Sequence, residues 1–263
     1  DGKPGVLQTE KTAGAKKMID THCHVIWGVD DASQEEATSR QMLQIAVEDG
    51  VEAILCTPHS LPFLKYENDA ATLRAPFEAL KRLIQAEKWP LEVALGCEFF
   101  LSDQSLSWIR EGRAVTLNGS QRLLIEFPWY QKVALKRSET ELLEEVVSLG
   151  YQVIIAHPER YRSVQQDFSI LKRWRSLGCD FQVNRTSLIL NDDLQQQRLA
   201  WRMVEEGYCD VIGTDAHHCW GKRIIKLSDI RLEIARRMNE DCAQLLCHDN
   251  GRRLIDGQPL IHL

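Results

Sequence analysis

The sequence contains no apolar run near the roughly 20 residues of a membrane-spanning helix, and no segment resembles a secretory signal. It also has no excess of positive charge, because 32 lysines and arginines face 38 aspartates and glutamates, for a net charge of -6. This balance argues against sequence-independent binding to nucleic acid, which needs a basic face. We therefore expect a cytoplasmic protein without membrane insertion or nucleic-acid binding.

The cysteines lack the spacing of a disulfide or metal framework. There are eight, no CxxC pair occurs among them, and most lie in or beside apolar runs such as AILCTP and GYCDVIG. Cysteines in a reducing compartment are used in this way, as small buried hydrophobes. All eight are predicted to be free thiols.

Residues 1–17 are polar and show no hydrophobic periodicity, so we interpret them as an N-terminal extension or an expression remnant. Residues 18–263 are expected to form one domain. The chain is 44% hydrophobic, which is enough to build its core.

From Met18 onward, short β-rich runs alternate with stretches of amphipathic helical period. The predicted strands are Met18–His22, Ala53–Thr57, Glu92–Gly96, Arg122–Phe127, Gln152–Ala156, Asp180–Val183 and Asp210–Gly213. The predicted helices are Ser33–Asp49, Asp69–Glu87, Ser102–Glu111, Ser138–Leu149, Phe168–Leu177, Asp192–Glu206, Ser228–Met238 and Glu240–Cys247. Repeated strand–helix units imply parallel strands with right-handed crossovers. Seven such units favour an α/β, TIM-like barrel over an open doubly wound sheet, and no GxGxxG motif follows the first strand.

Two patterns predict where helices begin and end. Ser33 is expected to cap the first helix, with Glu36 completing a capping box. A glycine stands where a helix gives way to a strand, as left-handed C-terminal caps favour. These glycines are Gly50, Gly150, Gly178 and Gly207.

Chemistry-bearing side chains follow nearly every predicted strand. They are His22, His24, Asp30 and Asp31; His59; Glu98; Glu126; His157, Glu159 and Arg160; Asn184 and Arg185; and Asp215, His217 and His218. The carboxyl ends of parallel barrel strands form the functional face, so these side chains are expected to converge. Imidazole and carboxylate are ligands of catalytic Zn²⁺, Mn²⁺ or Fe, whereas a structural zinc site would need clustered cysteines. The sequence therefore predicts a catalytic metal site.

A succession of short motifs resembles those of the PHP (polymerase and histidinol phosphatase) superfamily. The motifs are DTHCHVIWGVDD, TPHS, GCEFF, IEFP, IAHPERY, QVNRTS and GTDAHH, and they extend from Met18 to about Asn250. They are most similar to those of its bacterial manganese-dependent protein-tyrosine phosphatases, from capsule and exopolysaccharide gene clusters. The resemblance implies a distorted (β/α)7 barrel and a three-ion Mn²⁺ cluster, in which Fe, Co or Zn could replace Mn.

The resemblance also implies the metal ligands. The first ion is held by His22, His24, Glu98 and Asp215, the second by Glu98, Glu126 and His157, and the third by Asp31, His59 and His217. Asp31 is preferred over Asp30 because the family's ligand is the last acidic residue before the loop turns. Asp30 is kept as the alternative.

Three further positions are candidates for catalysis. Arg160 is expected to clamp the phosphate, since guanidinium matches its oxygens bidentately. Relatives carry another phosphate-binding arginine after the DAH motif. This chain reads DAHHCWGKRII there, so Lys222 or Arg223 is expected to take that role. His218 is a candidate proton donor to the leaving phenolate, or else a residue behind the ligands or in solvent.

One motif suggests a different chemistry. Residues 179–186 match C-x5-R-[ST], the pattern of cysteine-dependent tyrosine phosphatases. That mechanism needs a glycine-bearing loop that turns its backbone N–H groups onto the phosphate. The residues between Cys179 and Arg185 contain no glycine and alternate as a strand, so we expect Cys179 to lie away from the metal site.

The expected function is hydrolysis of phosphotyrosine by metal-activated hydroxide, with a bacterial tyrosine autokinase of polysaccharide export as the partner. The alternatives are a phosphatase for a small phosphomonoester such as histidinol phosphate, and a non-catalytic module that binds metal or phosphopeptide. Aromatic residues near the ligand loops could form walls for a tyrosine ring. These are Trp27, Phe63, Tyr66, Phe99, Phe100, Trp129, Tyr130, Tyr161 and Trp220. The sequence does not indicate the oligomeric state.

Overall fold

The computed structural model describes residues 16–128, 134–190 and 192–263, so most of the predicted N-terminal extension lies outside the described residues. Its strands are β1 (Met18–Cys23), β2 (Val51–Cys56), β3 (His59–Ser60), β4 (Glu92–Leu95), β5 (Glu98–Phe100), β6 (Arg122–Glu126), β7 (Gln152–Ala156), β8 (Asp180–Asn184) and β9 (Val211–Gly213). Neighbouring strands are parallel and form two sheets, β1-β2-β4 and β3-β5-β6-β7-β8-β9.

The two sheets form one curled barrel wall. After a two-residue break, β3 continues the path of β2 and β5 continues that of β4, and Gly96 N donates across the break to Cys56 O at 2.8 Å. On the opposite side, β9 lies against β1, where Asp215 N donates to His22 O at 2.8 Å. Counting each broken strand once gives the seven predicted strand positions. The prediction of a distorted α/β barrel is confirmed, although the two breaks were not anticipated.

Helices follow the strands along the chain. They are α1 (Glu36–Asp49), α2 (Ala70–Glu87), α3 (Leu106–Arg110), α4 (Glu139–Ser148), α5 (Arg162–Gln166), α6 (Ser169–Ser176), α7 (Arg185–Ile189), α8 (Leu194–Glu205), α9 (Ser228–Arg237), α10 (Glu240–Gln244) and α11 (Asn250–Ile255). In α1 the buried residues recur at helical spacing, which turns one face toward the core. The four predicted glycine caps all have positive φ angles, between 75° and 90°.

Three predicted helix boundaries are wrong. Helix α1 is capped by Glu35 without a side-chain bond, because the Ser33 hydroxyl donates instead to the Glu35 carbonyl. The helix predicted from Ser102 begins only at Leu106, because a hydroxyl-bonded turn between Ser102 and Ser105 precedes it. The last predicted helix does not stop at Cys247, since a π-helical turn leads directly into α11.

The core is continuous and contains most of the cysteines. Seven cysteines are buried, one is partly exposed, and all eight are free thiols as predicted. Cys179 is fully buried immediately before β8, at the end of that strand opposite the metal-ligand loops. Within the described ranges, none of the helices combines the length and the apolarity needed to cross a bilayer.

Candidate metal centre

The end of strand β1 places two imidazoles side by side. His22 lies in β1 and His24 directly follows the strand, and both side chains turn into the barrel mouth. Both side chains are fully buried, and their Nε2 atoms lie 3.1 Å apart. The HxH pattern therefore presents two nitrogens to one point in space.

Glu98, the first residue of β5, lies at the centre of the cluster. Its Oε2 atom is 3.4 Å from the Nε2 atoms of both His22 and His24, and 3.0 Å from His59 Nδ1. Its Oε1 atom is 2.7 Å from His157 Nε2. One buried carboxylate thus contacts four imidazoles, as expected of a ligand that bridges two ions.

The remaining carboxylates lie around this centre. Glu126 Oε1 is 3.5 Å from His157 Nε2, and Asp215 Oδ1 is 3.5 Å from both His24 Nε2 and His217 Nδ1. Both carboxylates are buried.

Asp31 lies at the rim, with its side chain 57% exposed. Its Oδ1 atom is 3.5 Å from His59 Nε2 and 3.8 Å from His217 Nε2. The structure thus brings all nine predicted ligands together in one cluster. His24 also groups with His59 and His217, so the division among ions stays a prediction.

Asp30 lies behind the cluster. Its Oδ2 atom is 2.8 Å from His24 Nδ1 and accepts the backbone N–H of His59 at 3.1 Å. Although burial raises the pKa of Asp30, the bond to His24 and the charges of His24, His59 and His217 together outweigh burial and lower that pKa. A carboxylate on Nδ1 turns the Nε2 lone pair of His24 toward a metal. This arrangement favours Asp31 as the ligand and Asp30 as its support.

Two ligands have unusual backbone geometry. His157 and Asp215 have φ angles of 36° and 52°, in the left-handed region that non-glycine residues rarely adopt. The Asp215 conformation is held by the Asp20 carboxylate, which accepts the N–H and the hydroxyl of Thr214 at 2.9 and 2.5 Å. Such strain is concentrated at functional sites, where the surrounding structure maintains it.

Burial and charge divide the histidines into two classes. Burial lowers the pKa of His22, but Glu98 outweighs it and raises the value to about 9. Burial also lowers the pKa of His59, but Glu98 again opposes it and the value rises to about 10. Burial and Arg160 lower the pKa of His157 to about 4, and burial with His24 lowers that of His217. In the metal-free cluster, His22 and His59 therefore keep their protons at neutral pH.

The donor geometry fits divalent cations. His59 Nδ1 and Glu98 Oε2 are 3.0 Å apart but not aligned as a hydrogen bond, and neither atom has another hydrogen-bond partner among the described residues. Four triads of ligand atoms lie within 4.8 Å of one another in this cluster. Buried polar atoms that converge without aligned hydrogen bonds are costly unless a cation replaces the protons between them. Nitrogen and oxygen donors without thiolate suit Mn²⁺, Fe²⁺, Co²⁺ or Zn²⁺.

The cluster opens into a cavity of about 520 Å³. Its wall includes seven of the nine predicted ligands and both candidate arginines, together with Thr186, Ser187, Leu190, Asp192, Gln196 and Lys222. Five of these last six belong to α7, to α8 or to the segment between them. Sequence analysis did not assign these five to the site. The short helix α7, which carries Thr186 and Ser187, was not predicted, and Asp192 and Gln196 were placed only in a predicted helix.

The two arginines converge on one ligand. Arg160 Nη1 donates to Asp215 Oδ2 at 2.8 Å, and Arg223 Nη2 donates to Asp215 Oδ1 at 2.6 Å. Lys222 instead reaches outward to Asp192, with Nζ 2.7 Å from Oδ2 and both side chains exposed. Of the two candidates, Arg223 therefore lies beside the metal ligands and Lys222 lies at the rim.

The predicted proton donor and several predicted aromatic wall residues do not lie at the cavity. His218 is not among the cavity-lining residues, and its ring stacks on Trp220 at 5.0 Å. Phe99, Phe100 and Tyr161 are buried in the core, so they cannot form a wall for a substrate ring. The two predicted wall residues in segment 129–133 lie outside the described part of the chain.

Comparisons with known proteins agree with this site. Residues 18–256 match the family model for capsular polysaccharide synthesis, CpsB/CapC. The chain is 30% identical to tyrosine-protein phosphatase YwqE of Bacillus subtilis over 201 residues, which are 76% of this chain and 78% of that protein. It is 29% identical to a protein named putative tyrosine-protein phosphatase CapC of Staphylococcus aureus, over 76% of this chain and 77% of that one.

Solved structures show the same fold. One comes from the crystal structures of YwqE from Bacillus subtilis and CpsB from Streptococcus pneumoniae, which are described as unique metal-dependent tyrosine phosphatases. It superimposes with a TM-score of 0.84 and 26% identity, over 94% of this chain and 97% of that one. A histidinol phosphate phosphatase from Lactococcus lactis shares the fold alone, with a TM-score of 0.54 and 16% identity over 92% and 94% of the two chains. With its motifs, its ligand cluster and these matches in accord, the chain belongs to the CpsB/CapC family of capsular polysaccharide synthesis.

Proposed function

We propose that this protein is a metal-dependent tyrosine phosphatase of a capsule system, and that its substrate is a phosphotyrosyl protein. The proposal rests above all on one observation: nine metal-ligand candidates form one cluster, and seven of them line a single cavity together with two arginines. The family match and the tyrosine phosphatases among the relatives support the same reaction. A site with so complete a ligand set favours an enzyme over a non-catalytic binding module.

Bound divalent ions would supply Lewis acidity toward the phosphoryl group and lower the pKa of coordinated water. The nine ligand candidates would hold them. Arg160 and Arg223 bind the non-bridging phosphoryl oxygens. Asp215 accepts hydrogen bonds from both arginines and holds their side chains in place. The buried ligands keep bulk water away from one side of the phosphoryl group.

His218, which adjoins the proposed ligand His217 but does not line the cavity, is our candidate proton donor to the departing phenolate. A proton donor matters most for poor leaving groups. His218→Asn is expected to slow hydrolysis of phenyl phosphate by about tenfold and that of p-nitrophenyl phosphate by less than twofold. Equal slowing of both substrates would remove His218 from the mechanism.

We propose Mn²⁺ as the resident metal and a tyrosine autokinase as the partner, on the resemblance of the ligand motifs. The N/O donor set accepts neighbouring divalent metals as well, so metal identity is a matter for reconstitution. Phosphate release after reloading with Mn²⁺, Fe²⁺, Co²⁺ or Zn²⁺, one metal at a time, ranks them.

The decisive test measures phosphate release from a phosphotyrosyl peptide with added Mn²⁺, with and without a strong chelator. Release that the chelator abolishes and fresh Mn²⁺ restores supports the proposal. Release that resists the chelator would contradict the metal mechanism. If the peptide is not hydrolysed but histidinol phosphate is, the metal centre stands and the substrate class is wrong.

A further inference from the structure

A buried chain of side-chain hydrogen bonds joins two proposed metal ligands beneath the cluster. His22 Nδ1 lies 2.9 Å from Gln182 Oε1, and Gln182 Nε2 donates to Asn184 Oδ1 at 2.7 Å. Asn184 Nδ2 then donates to Asp215 Oδ2 at 2.9 Å. Gln182 and Asn184 are fully buried and lie on the same face of β8, two residues apart. We call these two amides the β8 relay.

The direction of every bond in the β8 relay follows from its acceptor end. A carboxylate only accepts, so Asn184 presents its NH₂ group to Asp215 and its carbonyl to Gln182. Gln182 must therefore donate to Asn184, which leaves its carbonyl oxygen facing His22. That oxygen requires a proton on His22 Nδ1, and the lone pair of a neutral His22 then lies on Nε2, the atom that faces the cluster.

Backbone packing holds the β8 relay against His22. A Cβ atom at Gly213, on the neighbouring strand β9, would lie 2.6 Å from His22 Cβ and 2.9 Å from Gln182 Nε2. Both distances are shorter than real Cβ contacts, so only glycine allows this approach. The φ angle of Gly213 is not in the left-handed region, and close contact is therefore its structural requirement.

We propose that Gln182 and Asn184 are positioning residues, which fix the tautomer of His22 and the orientation of Asp215 for metal binding. Asp30 does the corresponding task for His24 with a full negative charge. The two histidines of the HxH pattern are thus supported differently, His22 by a neutral amide and His24 by a carboxylate. This inference rests on the proposed metal ligands, and its test reads metal binding rather than phosphatase activity.

The experiment measures Co²⁺ affinity of the full chain by competition with a chromophoric chelator. Gln182→Met keeps the side-chain volume but removes the acceptor and is expected to weaken Co²⁺ binding about 10- to 100-fold. Gln182→Glu keeps an acceptor for His22 Nδ1 but loses the donor to Asn184, so it is expected to bind Co²⁺ more tightly than Gln182→Met. A packing role predicts the reverse order, with Met tolerated and Glu harmful.

Asn250→Leu serves as the matched control. Asn250 is a fully buried amide in another part of the fold, where it bonds to the carbonyls of Asp210 and Ile261. The Asn250→Leu variant should lose thermal stability but keep the Co²⁺ affinity of wild type. If Gln182→Met does not fold, Asn184→Asp provides the same test, because it replaces the donor to Asp215 with a repelling oxygen and should also weaken Co²⁺ binding.

A spectroscopic readout tests the tautomer itself. In the Zn²⁺-loaded protein, the Nδ1 proton of His22 is expected as a low-field, exchange-protected NMR resonance that Gln182→Met abolishes. Unchanged Co²⁺ affinity and an unchanged resonance in folded Gln182→Met would overturn the β8 relay and leave the metal centre intact. If wild-type protein binds no Co²⁺, both the β8 relay and the proposed metal centre are wrong.

Discussion

Asp215 couples the ligand cluster to the groups that face the substrate. Its carboxylate accepts from Arg160 and Arg223, while Oδ1 also lies within 4 Å of three histidines. Burial raises the pKa of Asp215, but Arg223 and Arg160 outweigh it and hold that pKa well below its usual range. The carboxylate is therefore charged at neutral pH. Substitution of either arginine should change the position of the Asp215 carboxylate in the metal site.

The two basic residues after the DAH motif should differ sharply in importance. Arg223→Ala is expected to lower kcat/KM for a phosphotyrosyl peptide roughly 30- to 100-fold, about 2–3 kcal/mol for lost charged hydrogen bonds. Lys222→Ala should cost less than threefold, since an exposed ion pair contributes little. Kinetics at measured metal occupancy check both variants. A larger loss in Lys222→Ala than in Arg223→Ala would assign the phosphate-binding role to Lys222 instead.

Cys179 should be dispensable for catalysis. Burial, with Asp180 adding to it, raises the pKa of its thiol to about 12, so no thiolate is present at neutral pH. Cys179→Ser is expected to keep kcat within about twofold of wild type and to lower Tm slightly, because a hydroxyl replaces a buried thiol. A variant that folds and loses activity would favour the cysteine mechanism.

Which residues join the site could be predicted from sequence, but their division of labour could not. Ligand types after each strand identify the cluster, because strand ends meet at one edge of a barrel. Whether Asp30 or Asp31 faces the metal depends on one turn of backbone, and both carry the same side chain. The roles of Gln182 and Asn184 arise from a contact between β8 and β1, which are about 160 residues apart.

At the scale of elements, the strands were predictable and their breaks were not. Strands β3 and β5 have two and three residues, too few for a periodic signal. Their breaks redirect the chain so that His59 and Glu98 pair in register at the barrel mouth. The distortion of the barrel therefore serves the metal site, and only the resemblance indicated it in advance.

Helix α2 allows a clean test of a predicted helix start. The Asp69 side chain accepts from the backbone N–H groups of Ala71 and Thr72, which completes a capping box with Thr72. Asp69→Ala is expected to lower the free energy of unfolding by about 1 kcal/mol, and Asp69→Asn by less, since asparagine also caps. Chemical denaturation measures both. Catalysis should not change, because Asp69 is not among the residues that line the cavity.

For the molecule as a whole, folding and metal binding are linked. The fold buries nitrogens and carboxylates at the open end of a single barrel, and it keeps them together through Glu98 and protons on His22 and His59. A cation that binds there must displace those protons. Metal binding should therefore stabilise the folded chain by mass action, in proportion to its affinity at each pH.

The sign of the pH dependence follows from the pKa values of about 9 and 10 for His22 and His59. Both values exceed the ordinary 6.5, so protonation persists across the neutral range and competes with metal more strongly as pH falls. His157, with a pKa of about 4, does not compete there. Mn²⁺ affinity should rise about 10- to 100-fold per pH unit from pH 6 to 8, for one or two protons displaced. Calorimetry in buffers of different ionisation enthalpy counts those protons directly, and a count of zero would contradict this picture of the metal-free site.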